Sequence, residues 1–518
     1  MDFVLIWKRI KPQQRCAFVG TFIFGLISHG MMLFNKFSVH DDLTYMFTGG
    51  ATFTSGRWML FILEKIKNFI FQDNIYSLPA INGFFTFLCI GISLCILIDL
   101  FEIKSLNCSL LLSGIMISIP VITCMFGYMF IAQFFSLAIL LAIAGSYLIL
   151  KKDKWHFIIS GILLMAGSIG IYQSTISIFL SVFLFGLFKL YTNIDSQERR
   201  TEANKKLFIS LISIIVSILI YLGLMFFFLK INHLELSSYK GMNSFANISP
   251  AKYLSRILTA YRELLLPEKE KPYNNYPGGS QAIYICFLIV FLLYLITHII
   301  RTFKNNRDFG KGWYLIVFSL CIPLCINFSF ILVDLEFCYS MMFYSQSLLF
   351  VFGIWLFEQN KHFLIPKLNR LSAFLINTML FLFCAIFSRF DNVCYTRLEM
   401  VQSQTHRYFS SLITRIQNTP GYDEYMPVIY LGVPNVPKWN PTLPEKDEFQ
   451  YVNIYPYYEY GRVVSDYAWK EYLKFWFSFA PREAAESGFF DLPEVLEMGH
   501  YPNDNSIKII QDTIVVRF

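Results

Sequence analysis

About eleven apolar runs, most of them about 18 to 23 residues long, recur along this chain near residues 16–35, 79–99, 108–126, 129–150, 156–172, 174–190, 207–229, 281–300, 313–333, 340–357 and 372–389. A helix of that length crosses a hydrocarbon core of roughly 30 Å while satisfying its own backbone hydrogen bonds. The sequence therefore predicts an all-α polytopic membrane protein with about 11 transmembrane helices. The charge content agrees, since 15% of residues are charged against roughly 25% in soluble domains.

The formal charge of +7 does not point to nucleic acid, because the cations fall in short clusters between apolar runs and not on one face. Lys151, Lys152 and Lys154, then Arg199, Arg200, Lys205 and Lys206, then Arg301, Lys304, Arg307 and Lys311 all fall on one side if the basic N-terminus MDFVLIWKRIKPQQR is cytoplasmic, as the positive-inside rule expects. That N-terminus carries no small-residue cleavage site before the first run, so it reads as a retained end. An odd number of spans places residues 36–78, residues 230–280 and everything after about 390 outside. The span count is most sensitive at 156–190, where Gly161, Gly167 and Gly170 interrupt the run. The eleven cysteines show no metal-ligand spacing and read as packing residues.

Two domains are expected, a transmembrane catalytic domain at 1–389 and a small C-terminal α/β domain at 390–518. In the latter, residues 395–417 have a polar helical pattern, PGYDEYMPVIYLG reads as a turn and strand, and IKIIQDTIVVRF reads as two strands. Tyr451, Tyr455, Tyr457, Tyr458 and Tyr460 form an aromatic stretch suited to sugar stacking or to a headgroup belt.

The first outside loop opens NKFSVHDDLTYMFTGGATFTSGRW and places Asp41 and Asp42 between the first two spans, with Lys36 and His40 beside them and Arg57 following. Acids and a cation at the membrane surface make a candidate site. A carboxylate there could take a proton from an attacking hydroxyl while a cation steadies a departing phosphate. Adjacent residues point in different directions, so Asp41 and Asp42 are expected to differ in role. One reads as a base and the other as a positioner or a ligand of a divalent cation such as Mg or Mn. The bland alternative is that the pair caps a short helix, DLTYMF. Secondary candidates are Tyr172 and Gln173 in GIYQST, Arg256 and Arg262, whose spacing keeps them off one helical stripe, and Asp334 and Glu336 at another outer helix end.

The early HDD with GRW following, the IYQ at a helix end, RFDN leading into PGY and PVIYLG, and the closing GHYPNDNSIKIIQDTIVVRF resemble the bacterial serotype-converting O-antigen glucosyltransferases of the glucosyl transferase II type. Such proteins look like members of the C-type glycosyltransferase superfamily. The resemblance implies undecaprenyl-phosphate glucose as donor and an O-antigen sugar of lipopolysaccharide as acceptor, at the periplasmic face of the bacterial inner membrane. It also implies inversion by single displacement, and functional links to a donor flippase and a donor synthase. Carried onto this chain, the acidic motif falls on Asp41 and Asp42, and Arg57 becomes the phosphate partner. Rival readings are another polyprenyl-phosphate-sugar transferase, an O-antigen polymerase, or a glycolipid flippase without chemistry. The last is disfavoured by the absence of an obvious buried charged pair within the spans.

Overall fold

The computed structural model describes residues 9–37, 41–50, 52–237, 250–269, 271–306, 309–360, 366–434, 468–484 and 488–518. The chain forms two compact units, one of residues 1–35 and 47–392, the other of residues 36–46 and 393–518.

The first unit is helical. Its elements are α1 (Pro12–Phe34), α3 (Trp58–Phe71), α4 (Pro79–Phe101), α5 (Leu106–Ser118), α6 (Pro120–Phe126), α7 (Met129–Lys151), α8 (Trp155–Ile171), α9 (Ile176–Thr192), α10 (Gln197–Ile231), α11 (Pro250–Leu265), α12 (Ser280–Asn306), α13 (Phe309–Ile326), α14 (Ser347–Asn360) and the start of α15 (Pro366–Gln417); α2 (Asp41–Thr44) belongs to the second unit. Among the described residues eight helices are long and apolar enough to cross a membrane, and the bent pair α5–α6 makes a ninth. The two shorter apolar helices, Trp155–Ile171 and Gly310–Ile326, fall where the remaining two of the eleven expected runs lie. No disulfide joins any of the eleven cysteines.

The basic loops gather at one end of this bundle, where their lysines do more than mark topology. Lys189 pairs with Glu102 at 2.9 Å, and Lys206 donates to the carbonyls of Ile149 and Lys152 at the C-terminus of α7. Glu358 accepts from the backbone N–H groups of Lys104 and Ser105 at the start of α5. Cations at helix C-termini and an anion at an N-terminus complement the peptide dipoles there.

At the opposite end the helices break. Pro120 has no N–H to give, so the α5–α6 span bends by 40° and loses hydrogen bonds at the bend. The Tyr344 hydroxyl donates to the carbonyl of Met116 at 3.0 Å, and a ring nitrogen of His29 lies 2.7 Å from that of Ile117. Thr123, just past the bend, donates to Asp391 on α15 at 2.6 Å. His29 and Asp391 are fully buried, 3.9 Å apart. The pair is reached from helices far apart in sequence, and it locks α1, α6 and α15 together. Tyr172, in extended conformation, separates α8 from the 3₁₀ turn Gln173–Thr175, and a second 3₁₀ segment, Ser340–Gln346, precedes α14.

The second unit carries a three-stranded sheet in the order β1 (Val428–Leu431), β3 (Thr513–Arg517), β2 (Ile507–Ile510), parallel between β1 and β3 and antiparallel between β2 and β3. Ile429, Leu431, Val495, Met498, Ile510 and Val515 form its core. The three strands lie where the sequence places them.

Small residues let α7 and α8 approach closely: a Cβ on Gly145 would stand 2.7 Å from the carbonyl oxygen of Gly161, a backbone contact that cannot give way. Gly145→Val should lower stability by about 1–3 kcal/mol in thermal unfolding of the detergent-purified protein. Gly223→Val, where nothing lies within 4 Å, should leave it unchanged.

Candidate functional site

The break between α8 and α9 at Tyr172 lies beside Arg57. The preceding turn closes with the N–H of Gly56 on the carbonyl of Phe53 at 2.9 Å and the N–H of Arg57 on that of Thr52 at 2.7 Å. Gly56 has φ +70°, and a Cβ there would stand 2.7 Å from the Tyr221 hydroxyl, so both conformation and space call for glycine. Gln173 donates from Nε2 to the carbonyl of Ser55 at 2.7 Å and to Tyr221 at 3.2 Å. These bonds tie the turn to the α8–α9 break and to α10.

The Arg57 guanidinium carbon stands 5.5 Å from the ring centre of Tyr172 and 5.7 Å from that of Phe135. The two rings stack at 4.5 Å. Cation–π contacts of this kind are worth about 0.5–2 kcal/mol each, which holds the charge in place without neutralising it. The Arg57 Nε is buried without a hydrogen-bond partner, and among the described residues no carboxylate pairs with this arginine. Beneath the stack, a cavity bordered by Val121, Met125, Phe135, Tyr172, Met341 and Tyr344 lies where α6 and the two 3₁₀ segments meet.

Of the residues singled out in the sequence, Arg57, Tyr172 and Gln173 are thus brought together. Arg256 and Asp334 also meet, through a 2.6 Å ion pair, while Arg256 donates to the carbonyl of Ile331 as well. Lys252 adds a 2.9 Å contact. Burial pushes the Asp334 carboxyl up, but the hydrogen bonds from Arg256 and Lys252 outweigh it and hold the group below the usual carboxylate range. Arg262 stands apart, bound to Glu263 at 2.6 Å and to Glu268 at 3.2 Å. Glu336 is exposed on a 3₁₀ turn, Leu335–Phe337. These acids and arginines partner one another, which makes Arg256 and Arg262 weaker candidates for an anionic ligand than Arg57.

In the second unit, Asp41 and Asp42 open α2. Asp42 is 1% exposed, whereas Asp41 is half-buried. Lys36 is not merely an extended surface side chain, for its Nζ contacts Asp42 Oδ2 at 2.6 Å, and Gln402 donates to its carbonyl at 3.3 Å. Helix α16 (Trp469–Phe477) packs on α2. His40 and Tyr451, Tyr455, Tyr457, Tyr458 and Tyr460 lie outside the described residues. Among the described residues no group of three or more His, Cys, Asp or Glu could hold a metal ion.

Sequence reasoning missed Phe135, Tyr221 and Glu64. Phe135 and Tyr221 look like ordinary members of apolar runs. Glu64 is the one acid in WMLFILEKIKNFIF, seven residues after Arg57 and so on its face of the helix, which is a signal that could have been read.

Lys36→Met removes a cationic partner of the buried Asp42 carboxylate. The expected cost is on the order of 3 kcal/mol, seen as a lowered melting temperature, with most of the loss recovered in Lys36→Met/Asp42→Asn.

A family model described as Glucosyl transferase GtrII matches residues 30–354, more than half of the 518 residues. No curated protein matches. A solved structure, the archaeal oligosaccharyltransferase AglB from Archaeoglobus fulgidus in complex with an inhibitory peptide and a dolichol-phosphate, is similar over 78% of this chain at 12% identity and a TM-score of 0.40. This chain spans 58% of that one. The chain carries at least eight helices long and apolar enough to cross a membrane among its described residues, and it belongs to the glucosyl transferase GtrII family.

Proposed function

We propose that the protein transfers glucose from undecaprenyl-phosphate glucose to a sugar of the O-antigen at the periplasmic face of the bacterial inner membrane. The observation that carries this reading is Arg57, a cation held by aromatic faces and free of any described carboxylate, at the bundle end away from the basic loops. A phosphate diester at a membrane surface is the anion such a group suits, since the guanidinium fork matches two phosphate oxygens.

In the proposed reaction an acceptor hydroxyl oxygen attacks the anomeric carbon of the donor sugar. The bond from that carbon to the phosphate oxygen breaks, and polyprenyl phosphate departs with the bonding pair. Arg57 steadies the charge that grows on the phosphate. The leaving oxygen needs no proton, because a phosphate monoester's second pKa is about 6. The hydroxyl proton passes to a carboxylate, for which Asp41 and Asp42 are the candidates. Asp41 suits the role of base because it is half-buried and keeps access to solvent, while Asp42 is committed to Lys36 and suits that of positioner. Single displacement with no enzyme nucleophile inverts the anomeric centre. Gln173 and Tyr221 offer hydrogen-bonding groups for the glucosyl hydroxyls.

Membranes supplied with polyprenyl-phosphate glucose and O-antigen acceptor test this reading. Asp41→Asn should lower transfer by about 10²-fold or more, and Arg57→Ala should lower it by at least about tenfold. Full activity in Asp41→Asn and Asp42→Asn alike would remove the pair from the chemistry and leave it a helix cap.

A further inference from the structure

Among the described residues, one acid near the site has a buried carboxyl oxygen that makes no hydrogen bond. Glu64 is 9% exposed, and its Oε1 is buried with no hydrogen-bond partner. Its carboxyl occupies the space beside Gly49: a Cβ at residue 49 would stand 1.6 Å from Oε1 and 1.8 Å from Cδ. Any other residue at 49 would expel it.

An ionised carboxylate is poorly suited to this place. Burial pushes the Glu64 carboxyl up to about 7, against a smaller opposing effect from Lys65. Tyr76 also feels Glu64 and is hydrogen-bonded to Asn68, while Lys67 is taken up by Asp73. At Trp58, the start of α3, the packed helices present apolar groups, Gly170 from α8 and Phe228 from α10. The uncharged acid is therefore the form that fits under Gly49.

Glu64 and Arg57 lie two turns apart on one face of α3, about 10 Å along its axis. The described parts of the loop before α3, Phe47–Gly50 and Thr52–Arg57, are fixed at both ends of that face. One is held by the Gly49–Glu64 contact and the other by the Arg57–Thr52 and Gln173–Ser55 hydrogen bonds. We propose that Glu64 is a positioning residue for Arg57, whose uncharged carboxyl clamps this loop against α3 and whose ionisation releases it. The proposal rests on reading Arg57 as the phosphate site. The sign follows from linkage: the clamp is complete at low pH and is lost as pH rises through the raised value near 7.

Hydrogen exchange of the full-length protein in detergent, between about pH 5 and 8, reads the clamp without any donor present. After correction for chemical exchange, protection of residues 47–57 should fall by up to about tenfold per pH unit as pH rises from about 5 toward the raised value near 7, and level off above it, in the wild type, and stay flat in Glu64→Gln. Gly49→Ala should open the same segment in the wild-type background and do little in Glu64→Ala. In the transfer assay, the donor KM should climb with pH over the same range in the wild type and not in Glu64→Gln. An equal pH response in Glu64→Gln, or none in the wild type, would overturn the proposal. Because exchange needs no substrate, a protein that shows the clamp but transfers no glucose would contradict the proposed function alone.

Discussion

Hydrocarbon offers no partner to a peptide group, so a helix that breaks inside it must find partners in the protein. Three breaks in this bundle meet that demand at the same end: at Pro120, at Tyr172 and at Ser340–Gln346. The carbonyls freed at Pro120 are met by Tyr344 and His29. At Tyr172 the departure from helix turns Gln173 toward the loop that carries Arg57. The interrupted helices thus cost regular hydrogen bonds and in return place polar side chains where unbroken spans would offer only apolar ones. Everything argued for the site depends on that exchange.

Charge placement separates the arginines at this end. Arg256 satisfies Asp334, and Arg262 satisfies Glu263. A ligand anion would have to displace those bonds, each charge-assisted and worth about 1.5–3 kcal/mol. Arg57 sits against two ring faces instead. An arriving phosphate adds hydrogen bonds there without breaking an ion pair. The same physics distinguishes the two aspartates of the second unit, one locked to Lys36 and the other half-open.

Helix period and run length made the spans legible, because bilayer thickness fixes how many apolar residues a crossing needs. The terminal strands were legible from their short β-branched runs between turn residues. Arg57, Tyr172 and Gln173 could each be named from polarity at the end of an apolar run. Their convergence could not, since it depends on segments some 115 residues apart in sequence, around Arg57 and Tyr172, packing side by side. Phe135 and Tyr221 carry no local mark that separates a site wall from ordinary packing. The His29–Asp391 pair was hidden for a related reason: each residue alone reads as a polar residue near a span end, and only the fold makes them neighbours. Lys36 was underread because its partner is set by the fold of α2 and not by spacing alone.

The central claim is donor chemistry, and its most direct test is stoichiometry. Purified protein in liposomes would be given polyprenyl-phosphate glucose and an O-antigen acceptor, and both free polyprenyl phosphate and glucosylated acceptor would be measured over time. One lipid phosphate released for each glucose transferred, with inversion at the anomeric carbon, is the predicted result. Glucose transfer without release of lipid phosphate, or movement of the intact glycolipid across the bilayer with no new glycosidic bond, would contradict it.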